Sequence, residues 1–378
     1  MARPQVVVTV AAAPSRRGIS TPTGNAFIVY PSSTGVDYPV TFTSAGAATG
    51  NVPAAAAQHV ADLLTQGAPS VTVVRANVEP ANAAAASQAT WTAALDKLTT
   101  ASYGVGQVLI PGVASTAAHA ALVAHVNETG RVALLDGEPD STASELAAYA
   151  TAVSNSPGAE RAGLCAPYIT VPGDGNTTRD IPGSVAAAGL AARMDGRVGH
   201  AGRAPAGTQE FGDAGRVYGG SDVTASFSDD DLDTLSNAGV NPFLVKNGGV
   251  FLYDWLSVSS DDRWSQLNFG RLAMQVTTGT ADLLEQFLFR QIDGKGQLFA
   301  EVEAAIDGYL LGLYNNNALY GASSDDAYVV DVSGVTTVED IQSGTIRCVL
   351  ECAFSRAARR VVFNITVQKP GEVAGGSN

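Results

Sequence analysis

The side chains able to do chemistry are few and scattered along the chain. His59, His119, His125 and His200 are the only imidazoles among 378 residues. His119 and His125 stand six apart in a segment with helical patterning, so they do not share a face; a zinc-binding helix would want three or four. The cysteines are Cys165, Cys348 and Cys352. The last two lie in TIRCVLECAF, which alternates like a strand. Four residues along a strand span about 13 Å, beyond the reach of a disulfide. No His or Cys cluster stands nearby to complete a metal site. Buried free thiols are expected, which suits a reducing compartment. Asp136 ends RVALLDG, a predicted parallel strand, and α/β enzymes place ligands and catalytic groups at such ends. Aspartate is equally a common turn residue there. The sequence has no G-x-S-x-G elbow and no G-x-x-x-x-G-K-[ST], and no G-x-G-x-x-G follows a strand. Asp229, Asp230 and Asp231 follow Ser228 at a predicted helix start, where acids favour the helix dipole. No catalytic group, metal or cofactor is expected from these residues.

The elements that would carry such groups have a regular grammar from about residue 24. Strands are expected at 25–30, 70–76, 106–112, 131–137 and 161–170, each apolar on both faces. Helices alternate with them. One runs from Pro53 to Gly67, one carries Trp91, Leu95 and Leu98, and one is capped by Ser115 and stopped by Gly130. The next opens on the capping-box spacing of Thr142 and Glu145. Alternation of this kind predicts a parallel α/β sheet covered on both sides. The stretch 170–230 is loop-rich with a small helix, SVAAAGLAARM. After 240 the grammar changes. NPFLVKNGGVFLYDWLS reads as two strands around a Gly-Gly turn. A helix is expected over 281–293, with Leu283, Leu284, Phe287 and Leu288 on one face, and a second carries Phe299 to Leu313. Strands follow at 328–333, at 345–354 with Ile346, Cys348, Leu350 and Cys352 on one face, and at 359–369. The expected division is an arm at 1–23, an α/β domain at 24–235, an α+β domain at 236–358 and a C-terminal strand and arm at 359–378.

Composition bounds the function. Hydrophobic residues are 46% and charged ones 15%, enough to bury a core and too apolar for disorder. The net charge of −14 argues against general nucleic-acid binding. No apolar run approaches the ~18–20 residues of a membrane span, and the N-terminal valine run is short for a signal peptide; a soluble, unexported chain is expected. Charge is uneven. Residues 1–23 and 354–378 each carry a net +3, which leaves −20 between them. Basic ends on an acidic body suit docking on neighbouring copies, where complementary charge helps set register.

Three stretches carry a resemblance. AAAGLAARMDGRVGHAGRAPAGT (186–208) resembles the helix and APAG-type loop of contractile tail sheath proteins. LDTLSNAGVNPFLVKNGGVFLYDW (232–255) is similar to that family's helix and Gly-Val-Asn turn, with Leu235, Ser236, Asn237, Gly239, Val240 and Asn241 in place. GQLFAEVEAAIDGYLLGLYNNNALYG (296–321) looks like the sheath C-terminal helix and the turn after it. QVLIPG and RVALLDG also fit the family's α/β domain. The chain departs from the family at DWLSVSS (254–260) and at PQVVVTV, where a Pro-Gly-Val-Tyr segment is usual.

The resemblance implies a structural subunit of a contractile tail sheath rather than an enzyme: an outer α/β domain, an inner α+β domain and extended β arms. It implies hexameric rings of this chain stacked helically around a tail tube, with the tube protein, baseplate and tail terminator as partners, and no cofactor, direct nucleic-acid contact or membrane insertion. The expected place is a virion tail assembled in the host cytoplasm. Contraction would drive the tube through a target envelope. The arm strands would be Val6, Val7, Val8, Thr9 and Val10 at one end and Val361, Val362, Phe363, Asn364, Ile365, Thr366 and Val367 at the other. Each would complete a sheet in another subunit, with Arg3, Arg16, Arg17, Arg359 and Arg360 near acidic surface of the neighbour. Asp282, Glu285, Arg290, Asp293 and Lys295 are the candidate tube contacts. Two alternatives stay open: a sheath of a phage-derived injection machine or bacteriocin, and an α/β enzyme or ligand-binding protein using Asp136 and the loops at 170–220.

Overall fold

The structure, a computed structural model, describes residues 23–362 apart from residue 36. The expected arm strand at 6–10 and residues 363–367 lie outside the described residues. Six strands open the chain: β1 (Ala26–Pro31), β2 (Val40–Phe42), β3 (Val71–Ala76), β4 (Gln107–Leu109), β5 (Val132–Asp136) and β6 (Ala162–Ala166). β7 (Ile169–Pro172), β8 (Thr178–Ile181) and β9 (Asp222–Val223) come next, then β10 (Val240–Lys246), β11 (Gly249–Leu252), β12 (Tyr328–Asp331) and β13 (Val349–Cys352). The helices are α1 (Ala45–Ala48), α2 (Ala54–Gln66), α3 (Gln88–Leu95), α4 (Thr116–Thr129), α5 (Ala143–Val153), α6 (Gly183–Val198), α7 (Asp229–Asn237), α8 (Leu267–Leu284), α9 (Gln297–Asn315), α10 (Ser324–Ala327) and α11 (Val338–Ser343).

An eight-stranded sheet runs β11-β10-β6-β5-β4-β1-β3-β2. Its interior pairs are all parallel; the edge pairs β2–β3 and β10–β11 are antiparallel. Successive residues point to opposite faces of a strand, so each apolar run feeds two cores. Ile28, Val73, Leu134 and Phe243 meet α2, α6 and the start of α8 on one face. Phe27, Val29, Leu135 and Leu164 meet α3, α4, α5 and α7 on the other. The caps read from sequence are present. Ser115 accepts from Ala118 N–H, Gly130 ends α4 in the left-handed region, and Thr142 and Glu145 close a capping box, as Ser228 and Asp231 do on α7.

Several expectations change. The boundary at 235/236 falls inside the sheet, because β10 pairs with β6 in parallel and carries β11 with it. Leu164 pairs with Val240 there, and their side chains join one core. A second unit begins only along α8, whose later residues Leu272, Val276, Leu283 and Leu284 leave the sheet for a separate core with Val302, Ile306 and Leu310 of α9 and Tyr328 of β12. The helix expected over 281–293 is instead the end of α8. Thr280, just before the expected start, lies inside α8 with its hydroxyl donating to Val276 O at 2.7 Å. Helix geometry stops after a 3₁₀ turn at Glu285–Phe287. The run 161–170 splits at Pro167 into β6 and β7, which belong to different sheets. The small helix at 184–194 is the 16-residue α6, buried along most of its length. A Cβ on Gly189 of α6 would lie 2.2 Å from Gln66 Cβ of α2, so glycine permits that close crossing. The strand expected at 345–354 shortens to β13, although Ile346, Cys348, Leu350 and Cys352 do face one core.

Candidate assembly interface

The second unit presents an unfinished sheet. β12 and β13 pair antiparallel, Tyr328 with Cys352 through Asp331 with Val349. Among the described residues no third strand joins either one; a single bridge, Leu319 to Phe354, touches the end of β13. Val330, Leu350 and Cys352 pack inward. Val329 and Val349 remain 55% and 42% exposed. Open edges with exposed β-branched residues are templates for strand pairing.

Both ends of the described chain are anchored on the sheet. At the N-terminal end, Thr23 O accepts from Gln107 Nε2 at 2.9 Å, and Thr23 Oγ1 donates to Asp195 Oδ2 at 2.5 Å. Asp195 on α6 is ion-paired with Arg271 on α8 at 2.6 Å, and both are buried. At the C-terminal end the chain leaves β13 and returns across the sheet-bearing unit. Asn268 Nδ2 donates to Ser355 O at 3.2 Å. Gln266 brackets Ala357, its Nε2 donating to Ala357 O at 3.0 Å and its Oε1 accepting from Ala357 N at 2.8 Å. Arg359 Nε and Nη2 then reach Asp254 at 2.9 and 2.5 Å, and Nη2 also donates to Ser236 Oγ at 2.7 Å. Arg359, expected beside acidic surface on a neighbour, is thus paired within its own chain. Val361 and Val362 follow, 83% and 72% exposed and outside any strand.

The five expected tube contacts do not share a helix. Asp282 is on α8 and Glu285 in the 3₁₀ turn, while Arg290, Asp293 and Lys295 occupy the loop before α9. Asp293 has a structural task. It accepts from Leu298 N at 3.0 Å, Gln297 N at 3.2 Å and Lys295 N at 2.7 Å. Those donors hold its carboxyl below the usual range and cap α9. Arg290 pairs with Glu301 at 2.5 Å. Phe289, just before Arg290, has φ 63° and is 85% exposed.

Asp136 is a fastener. It is 2% exposed, and its carboxylate accepts from Ser184 N at 2.8 Å, Ser184 Oγ at 2.6 Å and Gly112 N at 3.0 Å. This ties the end of β5 to the first turn of α6 and to the turn after β4. Burial pushes its pKa up to about 6, against the pull of those hydrogen bonds. An open cavity of about 420 Å³ lies nearby, lined by Thr116, Glu138, Asp140, Ser141, Glu145 and Tyr149. Among the described residues no group of three or more His, Cys, Asp or Glu is placed to hold a metal ion, and no helix is long and apolar enough to cross a membrane. The three cysteines are free; Cys165 is buried, and Cys348 and Cys352 are half-buried. Burial pushes the latter two thiols up to about 11 and about 12.

No family model matches the sequence, and no curated protein does. Solved structures do match. The helical sheath of the anti-feeding prophage in its contracted state superposes with a TM-score of 0.70 at 20% identity, over 97% of this chain and 99% of that one. The sheath complex of the extracellular contractile injection system PVC, also contracted, gives 0.72 at 18% identity, over 97% and 98%. The sheath tail protein of Desulfitobacterium hafniense gives 0.56 at 10% identity, over 86% and 93%. The chain has the sheath fold.

Within the sheath fold, the elements that sequence reasoning missed are those holding the chain ends. Gln266, Asn268, Asp254 and Ser236 carry no local signal of that role, because Gln266 and Ala357 are 91 positions apart and Ser236 and Arg359 are 123 apart. Asp195 and Arg271 were equally silent. The Asp195-Gly-Arg197 end of α6 lies inside a quoted resemblance, yet its partner is 76 positions away.

Proposed function

We propose that this protein is the structural subunit of a contractile sheath, in which stacked hexameric rings surround a tube and drive it through a target envelope when they shorten. The observation that carries this is the sheath fold over 97% of the chain together with the open β12–β13 sheet. Residues 6–10 and 361–367 act as the arms. Each adds a strand to β12 or β13 of a neighbouring copy, with backbone hydrogen bonds giving the link and alternate side chains the register. The sheet-bearing unit, extended to about residue 266, faces outward. The unit built on α9, β12 and β13 faces the tube, and the end of α8 and the loop before α9 meet it through Asp282, Glu285, Arg290 and Lys295. Asp293 enters indirectly, by shaping that loop. The baseplate and a terminator close the ends of the stack. The chain has no catalytic role, since Asp136 is spent on holding α6 and the turn after β4.

The likeness is greater to sheaths of injection systems, at TM-scores of 0.70 to 0.72, than to the sheath tail proteins of Desulfitobacterium hafniense and Listeria innocua, at 0.56. This favours a phage-derived injection machine over a phage virion. The test is truncation. A chain lacking residues 1–12 should remain a folded monomer by circular dichroism and form no tubes in negative stain, as should Val8→Pro or Ile365→Pro where the lost N–H faces the partner strand. Tubes of normal length from the truncated chain would refute strand exchange. Lys295→Glu should weaken co-assembly with tube protein while leaving the sheath itself intact.

A further inference from the structure

The two ends of the described chain are anchored by ion pairs of different kinds. Thr23 is bonded to Asp195, whose partner Arg271 is fully buried between α6 and the chain around Ala201. That root is part of the core. The other root is a strap, residues 355–359, lying on the surface of the sheet-bearing unit. Its side-chain holdfasts are two backbone-directed amides, Gln266 and Asn268, and Arg359, whose side chain is 41% exposed and is held by Asp254, 14% exposed, and by Ser236. Ser355 N–H also donates to Ala318 O at 3.0 Å, and the Arg356 guanidinium lies 5.3 Å over the Phe269 ring. A pair whose arginine reaches solvent is weakened by salt. No strand or helix forms within the strap, so its release breaks one backbone bond beside the Leu319–Phe354 bridge, Ser355 N–H to Ala318 O, and unravels no whole element.

We propose that residues 355–359 are a releasable strap that sets the reach of the C-terminal arm, while the N-terminal arm leaves from a fixed root. The proposal rests on the sheath reading. Each extended residue spans about 3.3–3.6 Å, so letting go five residues lengthens the C-terminal link by roughly 17 Å. Of the two links each subunit makes, this one supplies the slack when neighbours rotate and slide during contraction. Engaged, the strap sends Val361 away from the body beside α7 and Asp254, fixing the direction in which the arm sets out.

The strap is tested first on the full-length monomer. Trypsin cuts after Arg356, Arg359 and Arg360. Asp254→Asn keeps those sites and removes the charge that holds Arg359. Loss of a charge-assisted bond should speed cleavage there by about tenfold. Raised salt should have the same effect on the natural chain and little on the variant. Cleavage after Arg16 and Arg17 should not change. Equal rates at Arg359 in the natural chain and in Asp254→Asn, at low salt, would overturn the strap. The second test locks it, with Asp254→Cys and Arg359→Cys joined by a short bismaleimide. The native Cys348 and Cys352 stay protonated at pH 7 and react slowly. Locked chains should build extended tubes that fail to shorten, and unlinked chains of the same variant should shorten. Locked tubes that shorten to the natural length would overturn the proposal. If the natural chain builds no tubes, the sheath reading fails, while the cleavage contrast still decides whether the strap is held and released.

Discussion

Replacing Asp136 by Asn should change the pH dependence of stability in a way that can be worked from the structure. The carboxyl is buried and its pKa is about 6, against an ordinary value of 3.8. A carboxyl raised on folding binds its proton more tightly in the native state. Its contribution is therefore fully present below about pH 4 and is lost as pH rises through 6. At pH 7 the buried carboxylate costs about 3 kcal/mol relative to the protonated form, and between pH 7 and pH 5 about 1.3 kcal/mol is recovered. Asparagine keeps an oxygen for Ser184 N–H but leaves Gly112 N–H facing an amide nitrogen. That orphaned donor costs about 1–3 kcal/mol at every pH. The gap between natural chain and variant should thus widen in favour of the natural chain by about 1.3 kcal/mol from pH 7 to pH 5. Urea denaturation of both proteins at the two pH values measures it, and other titrating groups cancel in the difference. A gap that stays constant would show that Asp136 titrates as an ordinary carboxyl and would refute the account of its burial.

Acid should destabilise the protein as a whole through His119 and His125, which burial holds down to about 4. A depressed histidine is neutral in the fold and charged when unfolded, so stability falls as pH drops from about 6.5 toward 4, by about 2 kcal/mol for each between pH 7 and pH 5; thermal melts across that range check it, and His119→Phe should remove its share of the loss. Arg271→Met should cost about 3–5 kcal/mol, because it strands the buried Asp195. Adding Asp195→Asn should recover most of that, and a single variant that loses less than about 1 kcal/mol in urea would show that the pair is not what holds α6 to α8.

Much of the architecture was legible because its signals are local. A cap is read within four residues, as at Ser115 with Ala118 and Thr142 with Glu145. A strand buried on both faces shows as an unbroken apolar run, and the hairpin was legible as two strands around a Gly-Gly turn, although the turn residues are Asn247 and Gly248, both at positive φ, and Gly249 already begins β11. The tail-sheath resemblance carried the fold class for the same reason, through short stretches of helix and turn. Local rules also misled. Thr280 stands just before an expected helix start, yet the apolar face of α8 continues through it, and packing in two cores outweighs a capping preference. The change of grammar near residue 240 is real in composition, but β10 pairs in parallel with β6, where Leu164 and Val240 bury together. The pairings that only the tertiary structure decided join residues far apart in sequence: Asp195 with Arg271, Gln266 with Ala357, Asp254 with Arg359, Asp136 with Ser184. A side chain's partner at such range is set by where the chain has already packed, so no pattern within a window of sequence can announce it.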